Sequence, residues 1–337
     1  IFTLSSPSEK TYSNLTSLTK FENPTQSNLF GNNKDLTFID SDNKIFPISL
    51  NIWKNAPRDS TAIEIQKILD IADSNPSIFN GKVTWLFQGE TSSIIEYATK
   101  RGLNNGINFY TKLGFATTNA IAINARDMDW LKTQLTQLDC TYGQLPAFPG
   151  FYVARTCQNG HGALTAQHWA VAKTPDGLDG ITFNHVLAHE YFHQLQEELS
   201  GNVGNGPFPL WFWEGGAHFF TLIAYSSWNK DKYFEQWSEY WFGTLWPDQK
   251  INCVSVNIFD MQNSENGSNR VCGYSKGSLI VEKFLAVYGI DKYKEIIKLI
   301  ANTPYKKFAQ AFKETTGVEL QAFYDDAQFF LKSRGWA

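Results

Sequence analysis

The chain has 337 residues, a net charge of −4 and a pI near 5.9, so it lacks the basic character of a nucleic-acid-binding protein. Hydrophobic residues make up 42% of the sequence and aromatic residues 15%, which is enough for one large domain or two smaller ones. No apolar run reaches the roughly 18 residues of a membrane-spanning helix, so we expect no transmembrane segment.

The N-terminal part of the chain alternates strand and helix patterns. Residues 1–43 are polar and predict an irregular or β-rich lead-in, whereas residues 44–200 predict a mixed sheet backed by helices. Strands are predicted at Lys44–Trp53, Lys82–Phe87, Asn119–Asn124, Phe151–Thr156 and Gln167–Lys173. Helices are predicted at Ser60–Ala72, Thr91–Arg101, Asp127–Leu138 and Thr182–Glu198.

Residues 201–337 are predicted to be mainly helical, with a long irregular loop at Trp246–Arg270. The predicted helices are Leu210–Trp228, Ser275–Val287, Lys292–Ala301, Tyr305–Thr315 and Leu320–Leu331. We therefore expect an α+β fold, in which an N-terminal mixed α/β part and a C-terminal helical part enclose a catalytic cleft.

Residues 189–193 read His-Glu-Tyr-Phe-His, which is an H-E-x-x-H motif. On a helix, His189 and His193 project from one face, one turn apart. Two imidazoles so placed can bind zinc, and Glu190 beside them can take a proton from a zinc-bound water. Gly201 is expected to end this helix.

Glu214 is the predicted third metal ligand. It follows His193 by 21 positions, and glycines and prolines between the two predicted helices allow the chain to return. Two His, one Glu and an open fourth position are typical of a catalytic zinc site rather than a structural one. The alternative is a buried carboxylate at a turn formed by Gly215 and Gly216.

These motifs together resemble the gluzincin branch of the zincin metallopeptidases, which includes aminopeptidase N-like and thermolysin-like enzymes. The resemblance covers roughly residues 180–285. Besides H-E-x-x-H, it rests on a W-x-x-E-G-x-A segment at 211–217 and a Y-S-K-G segment at 274–277.

The resemblance implies a zincin-like fold and one bound zinc ion. Its ligands would be His189, His193 and Glu214, and Glu190 would be the general base. The tyrosine of the Y-S-K-G segment, Tyr274, would stabilise the tetrahedral intermediate.

Two departures from the family pattern bear on activity. The Gly-x-Met-Glu-Asn segment that binds a substrate's amino terminus in aminopeptidase N-like enzymes is absent, which favours an endopeptidase. Position 218 carries His where thermolysin-like enzymes carry Asp, so the support of the zinc-bound histidines must differ.

We expect a zinc-dependent hydrolase of peptide or protein substrates. The alternatives are a secreted binding protein on the same scaffold, an aminopeptidase and a hydrolase of non-peptide bonds.

Three further side chains are candidates for the site. His185 and His218, one turn before the first motif histidine and one turn after the third predicted ligand, could support the metal ligands. For His185 the alternative is a partly exposed histidine near the start of the helix. Tyr274 could donate a hydrogen bond to an oxyanion or could simply be a packing tyrosine, and Tyr225 and Arg155 are alternative donors.

The four cysteines show no C-x-x-C spacing, which argues against a structural zinc bound by thiols. They form two local pairs, and we predict disulfides Cys140–Cys157 and Cys253–Cys272, with the other two connectivities open. Disulfides indicate an oxidising compartment, and the first forty residues have the Ser-, Thr- and Asn-rich composition common in exported proteins. We therefore expect an extracytoplasmic protein that is secreted, periplasmic or on the cell surface.

Overall fold

The chain falls into two compact units, one comprising Ile1–Ile48 and Pro76–Leu195 and the other comprising Ser49–Asn75 and Gln196–Ala337. The computed structural model describes residues 10–12, 36–39, 45–48, 63–65, 67, 68, 70, 74, 75, 79–88, 93–115, 119–125, 128–138, 163–167, 179–201, 203–225, 253, 256–261, 267–303 and 307–333.

The first unit contains a mixed sheet. The described strands are β1 Lys10–Tyr12, β2 Leu36–Ile39, β3 Ile45–Ile48, β4 Val83–Phe87, β5 Ala120–Ala125 and β6 Ala163–Gln167. Strands β1, β4, β5 and β6 lie side by side in that order, with β1 antiparallel to β4 and the other neighbours parallel. Strands β2 and β3 form a separate antiparallel pair.

Several strand predictions agree closely with these bounds. The predictions at Lys82–Phe87 and Asn119–Asn124 match β4 and β5 to within one residue at each end, and β3 lies inside Lys44–Trp53. The strand predicted at Gln167–Lys173 is displaced, because β6 ends at Gln167, while residues 168–173 lie outside the described residues. The strand predicted at Phe151–Thr156 also lies outside them.

The helices of the first unit are α1 Ser93–Lys112, α2 Met128–Gln137 and α3 Asp179–Leu199, of which residues 196–199 belong to the second unit. Helix α1 continues 11 residues beyond the predicted end at Arg101, since Leu103, Ile107 and Tyr110 keep its apolar face buried. Helix α2 covers β5 through an apolar cluster formed by Leu86, Ile121, Ile123, Ala125, Leu131 and Leu135.

The described part of the second unit is helical. Its helices are α4 Leu210–Tyr225, α5 Gly267–Asn302, α6 Phe308–Thr316 and α7 Leu320–Ser333, with a 3₁₀ turn at Ile258–Met261 and helical residues at 63–65, 67, 68 and 70. Helix α5 is interrupted at Gly289, whose φ of 79° suits glycine, and this break separates the two helices predicted there. The predicted start at Ser275 is wrong, because α5 begins 8 residues earlier.

Aromatic side chains form the centre of the second unit. Phe212 stacks on Tyr293 at 4.3 Å between ring centroids and meets Phe308 at 5.0 Å. The aromatic residues flanking Glu214 are all buried: Trp211, Phe212, Trp213, Phe219 and Phe220.

The described residues thus combine a mixed sheet with helices, which is consistent with the predicted α+β class. None of the helices in this described part of the chain has the combination of length and apolar character that a bilayer crossing requires.

Candidate metal centre

Helix α3 presents the H-E-x-x-H motif from a buried position. Every residue from Ala188 to Gln196 is buried except Glu190, which is half-buried. The helix ends as predicted, because Gly201 adopts a left-handed conformation with φ of 61° and its N–H donates to the carbonyl of Glu198.

The two motif histidines converge on one point. Their Nε2 atoms lie 3.0 Å apart, and the rings are almost perpendicular, with an interplanar angle of 86°. His189 is 4% exposed and His193 is 7% exposed, so both nitrogens are largely withdrawn from bulk water. Such a short distance between two acceptor-capable nitrogens requires something between them, which is either a shared proton or a cation.

The geometry fits a metal ion. Two nitrogens bound to a tetrahedral zinc at ~2.0–2.1 Å would lie about 3.3 Å apart, close to the observed 3.0 Å. Glu190 belongs to the same group, because one ligand atom from each of His189, Glu190 and His193 lies within 4.8 Å of the others. These three residues therefore form a group that could hold a metal ion.

Helix α1 packs against Ala188, the residue directly before the motif. A Cβ on Gly106 would lie 2.8 Å from the Cβ of Ala188, so the absence of a side chain permits the close approach of the two helices. The Tyr110 hydroxyl donates to the carbonyl of Ala188 at 3.1 Å, in a buried setting. The backbone directly before His189 is therefore fixed by both packing and a hydrogen bond.

The motif makes further contacts within the first unit. The Phe192 ring meets Tyr110 at 5.1 Å and Phe115 at 5.0 Å, both edge to face. The Gln194 side chain donates to the carbonyl of Asn119 at 2.6 Å, just before strand β5 begins. These contacts limit rotation of α3 about its axis and so fix the directions of the two imidazoles.

Glu214 lies in the first turns of α4, in the second unit, and is 6% exposed. Gly215 and Gly216, which follow it, are interior residues of α4, so the alternative of a Gly-Gly turn is wrong. Burial of a carboxylate needs compensation from a cation or from hydrogen bonds. Coordination of the metal by Glu214 stays a prediction.

Two glycines bring α4 and α5 into backbone contact. A Cβ on Gly215 would lie 2.5 Å from the carbonyl carbon of Gly277, and a Cβ on Gly277 would lie 3.0 Å from the Cα of Trp211. Gly215 follows Glu214, and Gly277 ends the Y-S-K-G segment that begins at Tyr274. The two segments that carry the family resemblance in this unit therefore meet at their glycines.

The remaining predicted side chains lie on three helices. His218 is fully buried on α4, and its ring centroid is 6.0 Å from that of the half-buried Tyr274 on α5. His185 and Tyr225 lie on α3 and α4, but their side chains are outside the described ones, and Arg155 is wholly outside the described residues.

The Tyr274 segment is anchored twice. The predicted Cys253–Cys272 disulfide is present, with a Cα–Cα distance of 5.3 Å, whereas the predicted Cys140–Cys157 pair lies outside the described residues. Lys276 is buried, and its ammonium donates to the carbonyl of Val256 at 2.7 Å. Burial lowers the pKa of Lys276 to about 8.

The residues that position the site were not predicted from the sequence. Helix α3 is positioned by Gly106, Tyr110 and Gln194. The start of α4 is positioned by Gln196 and Tyr293. The sequence offered one signal, which is Gly106 inside an apolar helical pattern. Glycine there costs about 1 kcal/mol relative to alanine, which suggests that a neighbouring segment packs closely against it.

Comparisons of the chain with protein-family models, with curated proteins and with solved structures found no match. The group formed by His189, Glu190 and His193, which could hold a metal ion, is therefore the feature that points to a function.

Proposed function

We propose that this protein is a zinc-dependent peptidase with a zincin-like fold, and that it acts as an endopeptidase outside the cytoplasm. The observation that carries the proposal is the convergence of the His189 and His193 Nε2 atoms at 3.0 Å beside Glu190. The Cys253–Cys272 disulfide supports the extracytoplasmic assignment, because disulfides persist in oxidising compartments.

His189, His193 and Glu214 would hold the ion. Neutral imidazoles and a carboxylate suit zinc, and three protein ligands leave one position for water or substrate. Each of the three side chains is buried, and burial strengthens the attraction between a carboxylate and a cation. When bound, zinc supplies a Lewis acid that acidifies water and polarises a carbonyl group.

The chain's own residues would carry the proton and the developing charge. Glu190 accepts the proton that the attacking water loses and delivers it to the departing amine. Its half-buried position leaves it accessible to water. Tyr274, also half-buried, donates a hydrogen bond to the oxyanion that forms as the peptide carbonyl is attacked.

The test is product analysis by mass spectrometry on a diverse peptide mixture. Zinc-loaded wild type would be compared with Glu190→Gln, and Glu198→Gln is the matched control, because it makes the same change at an exposed position of the same helix. We expect internal cleavage by wild type and by the control. Glu190→Gln should bind zinc in equal amount and cleave about 10²–10⁴-fold more slowly.

The outcomes separate the possible functions. Full activity of Glu190→Gln would refute the role of general base. Trimming of single residues would replace the endopeptidase with an exopeptidase. Absence of cleavage by wild type with zinc bound would refute the peptidase and leave a binding role or a non-peptide substrate.

A further inference from the structure

We infer that Gln196 and Tyr293 form a clamp that sets the direction of the Glu214 side chain on α4. The Gln196 side-chain amide donates to the carbonyl of Trp213 at 3.0 Å and to the Tyr293 hydroxyl at 2.8 Å. The Tyr293 hydroxyl in turn donates to the carbonyl of Phe212 at 2.9 Å. The two backbone acceptors are the carbonyls of Phe212 and Trp213, the two residues directly before Glu214. The inference rests on the proposed function, in which Glu214 is a ligand.

The clamp is dry and directional. Gln196 and Tyr293 are both fully buried, so water does not compete for these hydrogen bonds. Burial raises the pKa of Tyr293, against a smaller opposite effect of the hydrogen bond from Gln196, so the hydroxyl stays a neutral donor at ordinary pH. Two donors on successive carbonyls restrict rotation of the first turn of α4 about the helix axis. The Cα–Cβ direction of Glu214 follows from that rotation.

Gly216 gives independent support. A Cβ at this position would lie 2.0 Å from the Tyr293 hydroxyl oxygen and 3.4 Å from the Gln196 Nε2 atom. Glycine in a helix interior costs about 1 kcal/mol relative to alanine. Here the missing side chain leaves the space in which the Tyr293 hydroxyl and the Gln196 amide reach the backbone of α4.

The competing interpretation is that Tyr293 is only a core aromatic residue. Its ring does stack on Phe212 at 4.3 Å and meets Phe220 at 5.6 Å. Ring packing needs no hydroxyl, however, so Tyr293→Phe separates the two roles by keeping the ring and removing both of its hydrogen bonds. Loss of hydrogen bonds that orient a metal ligand costs about 10–100-fold in metal affinity, and here the orientation would be transmitted through the backbone directly before Glu214.

The experiment measures zinc affinity and the visible absorption spectrum of the cobalt-substituted protein, which reports the ligand geometry. The variants are Tyr293→Phe, Gln196→Met, Glu214→Gln and the double variant Tyr293→Phe/Glu214→Gln. Tyr324→Phe is the matched control, because the Tyr324 hydroxyl is also buried and accepts a hydrogen bond from the Trp211 indole at 2.9 Å.

We expect Tyr293→Phe and Gln196→Met each to bind zinc about 10–100-fold more weakly and to change the cobalt spectrum. Tyr324→Phe should do neither. In the Glu214→Gln background, Tyr293→Phe should cause no further loss of affinity, because the ligand that it positions is already gone.

The possible results distinguish failure of the clamp, of the ligand role of Glu214 and of the proposed function. Tyr293→Phe with wild-type affinity and spectrum would overturn the clamp alone, as would an equal loss of affinity in the Glu214→Gln background. Wild-type affinity in Glu214→Gln would remove Glu214 from the ligand set and the clamp with it. A wild type that binds no zinc would overturn the proposed function itself.

Discussion

Gly215→Ala tests how tightly α4 and α5 are held together beside Glu214. The new methyl group would lie 2.5 Å from the carbonyl carbon, 2.7 Å from the carbonyl oxygen and 2.9 Å from the Cα of Gly277. Ordinary contacts of a Cβ begin at 3.4 Å, so the nearest distance is 0.9 Å too short. All three obstructing atoms are backbone, so no side chain can rotate away and the helices must separate.

The same contact offers a graded comparison. For Gly277→Ala the nearest atom is the Cα of Trp211 at 3.0 Å, a shortfall of 0.4 Å. Each substitution gains about 1 kcal/mol from helix propensity, while overpacking costs about 1–3 kcal/mol and sometimes more. We expect Gly215→Ala to lower the free energy of unfolding by about 2 kcal/mol and Gly277→Ala to change it by less than about 1 kcal/mol.

The assay is urea unfolding followed by tryptophan fluorescence, together with a zinc titration of each variant. Gly206→Ala is the control, because a Cβ there would meet nothing within 4 Å. We expect the control to stay within about 0.5 kcal/mol of wild type. The separation of the helices in Gly215→Ala should also weaken zinc binding through Glu214. Wild-type stability and zinc affinity in Gly215→Ala, or a larger loss in Gly277→Ala, would refute the packing argument.

Three further predictions concern anchors of the site. Replacing Cys253 and Cys272 together by Ser should lower the free energy of unfolding by about 3 kcal/mol, since the bridge spans a sequence separation of 19. The lowered pKa of Lys276, about 8 against an ordinary 10.5, means that the unfolded chain binds more protons between these values. Stability should therefore rise with pH across that interval, by at most about 1.4 kcal/mol per pH unit, and Lys276→Met should flatten the rise. Phe192→Ala should cost about 3–5 kcal/mol and weaken zinc binding, because the ring holds α3 against Tyr110.

Urea midpoints measured across pH, together with zinc titrations, check all three. An unchanged urea midpoint in the variant with Cys253 and Cys272 both replaced by Ser would contradict the first prediction, provided that the wild-type protein is kept oxidised. A pH profile of Lys276→Met identical to that of wild type would contradict the second. Wild-type zinc affinity in a folded Phe192→Ala protein would show that the ring does not position the motif.

Local patterns in the sequence determined the elements that depend on local physics. The helix with His189 and His193 and its end at Gly201 follow from apolar spacing and from the glycine preference for a left-handed residue. The bridge between Cys253 and Cys272 follows from their proximity in the sequence. Each of these features involves residues that lie close together in the sequence.

Tertiary contacts decided the features that the local signal contradicted. Gly215 and Gly216 lie inside the helix predicted at Leu210–Trp228, although glycine disfavours helix. The described side chains of α4 are all buried, and α5 approaches its backbone. Helix α5 likewise begins before Gly273 and Gly277, although glycine disfavours helix. At these positions close packing outweighs intrinsic propensity, since a burial term of several kcal/mol exceeds a propensity difference of about 1 kcal/mol.

The clamp on α4 shows the limit of sequence reasoning most clearly. Gln196 and Tyr293 are 97 residues apart, and neither belongs to a motif. A buried amide and a buried phenol become partners only when the folded chain brings them together and excludes water from both. The sequence by itself determined which side chains carry the proposed chemistry. Only the tertiary structure decided which polar groups point at the backbone beside Glu214, because hydrogen-bond partners are set by three-dimensional proximity.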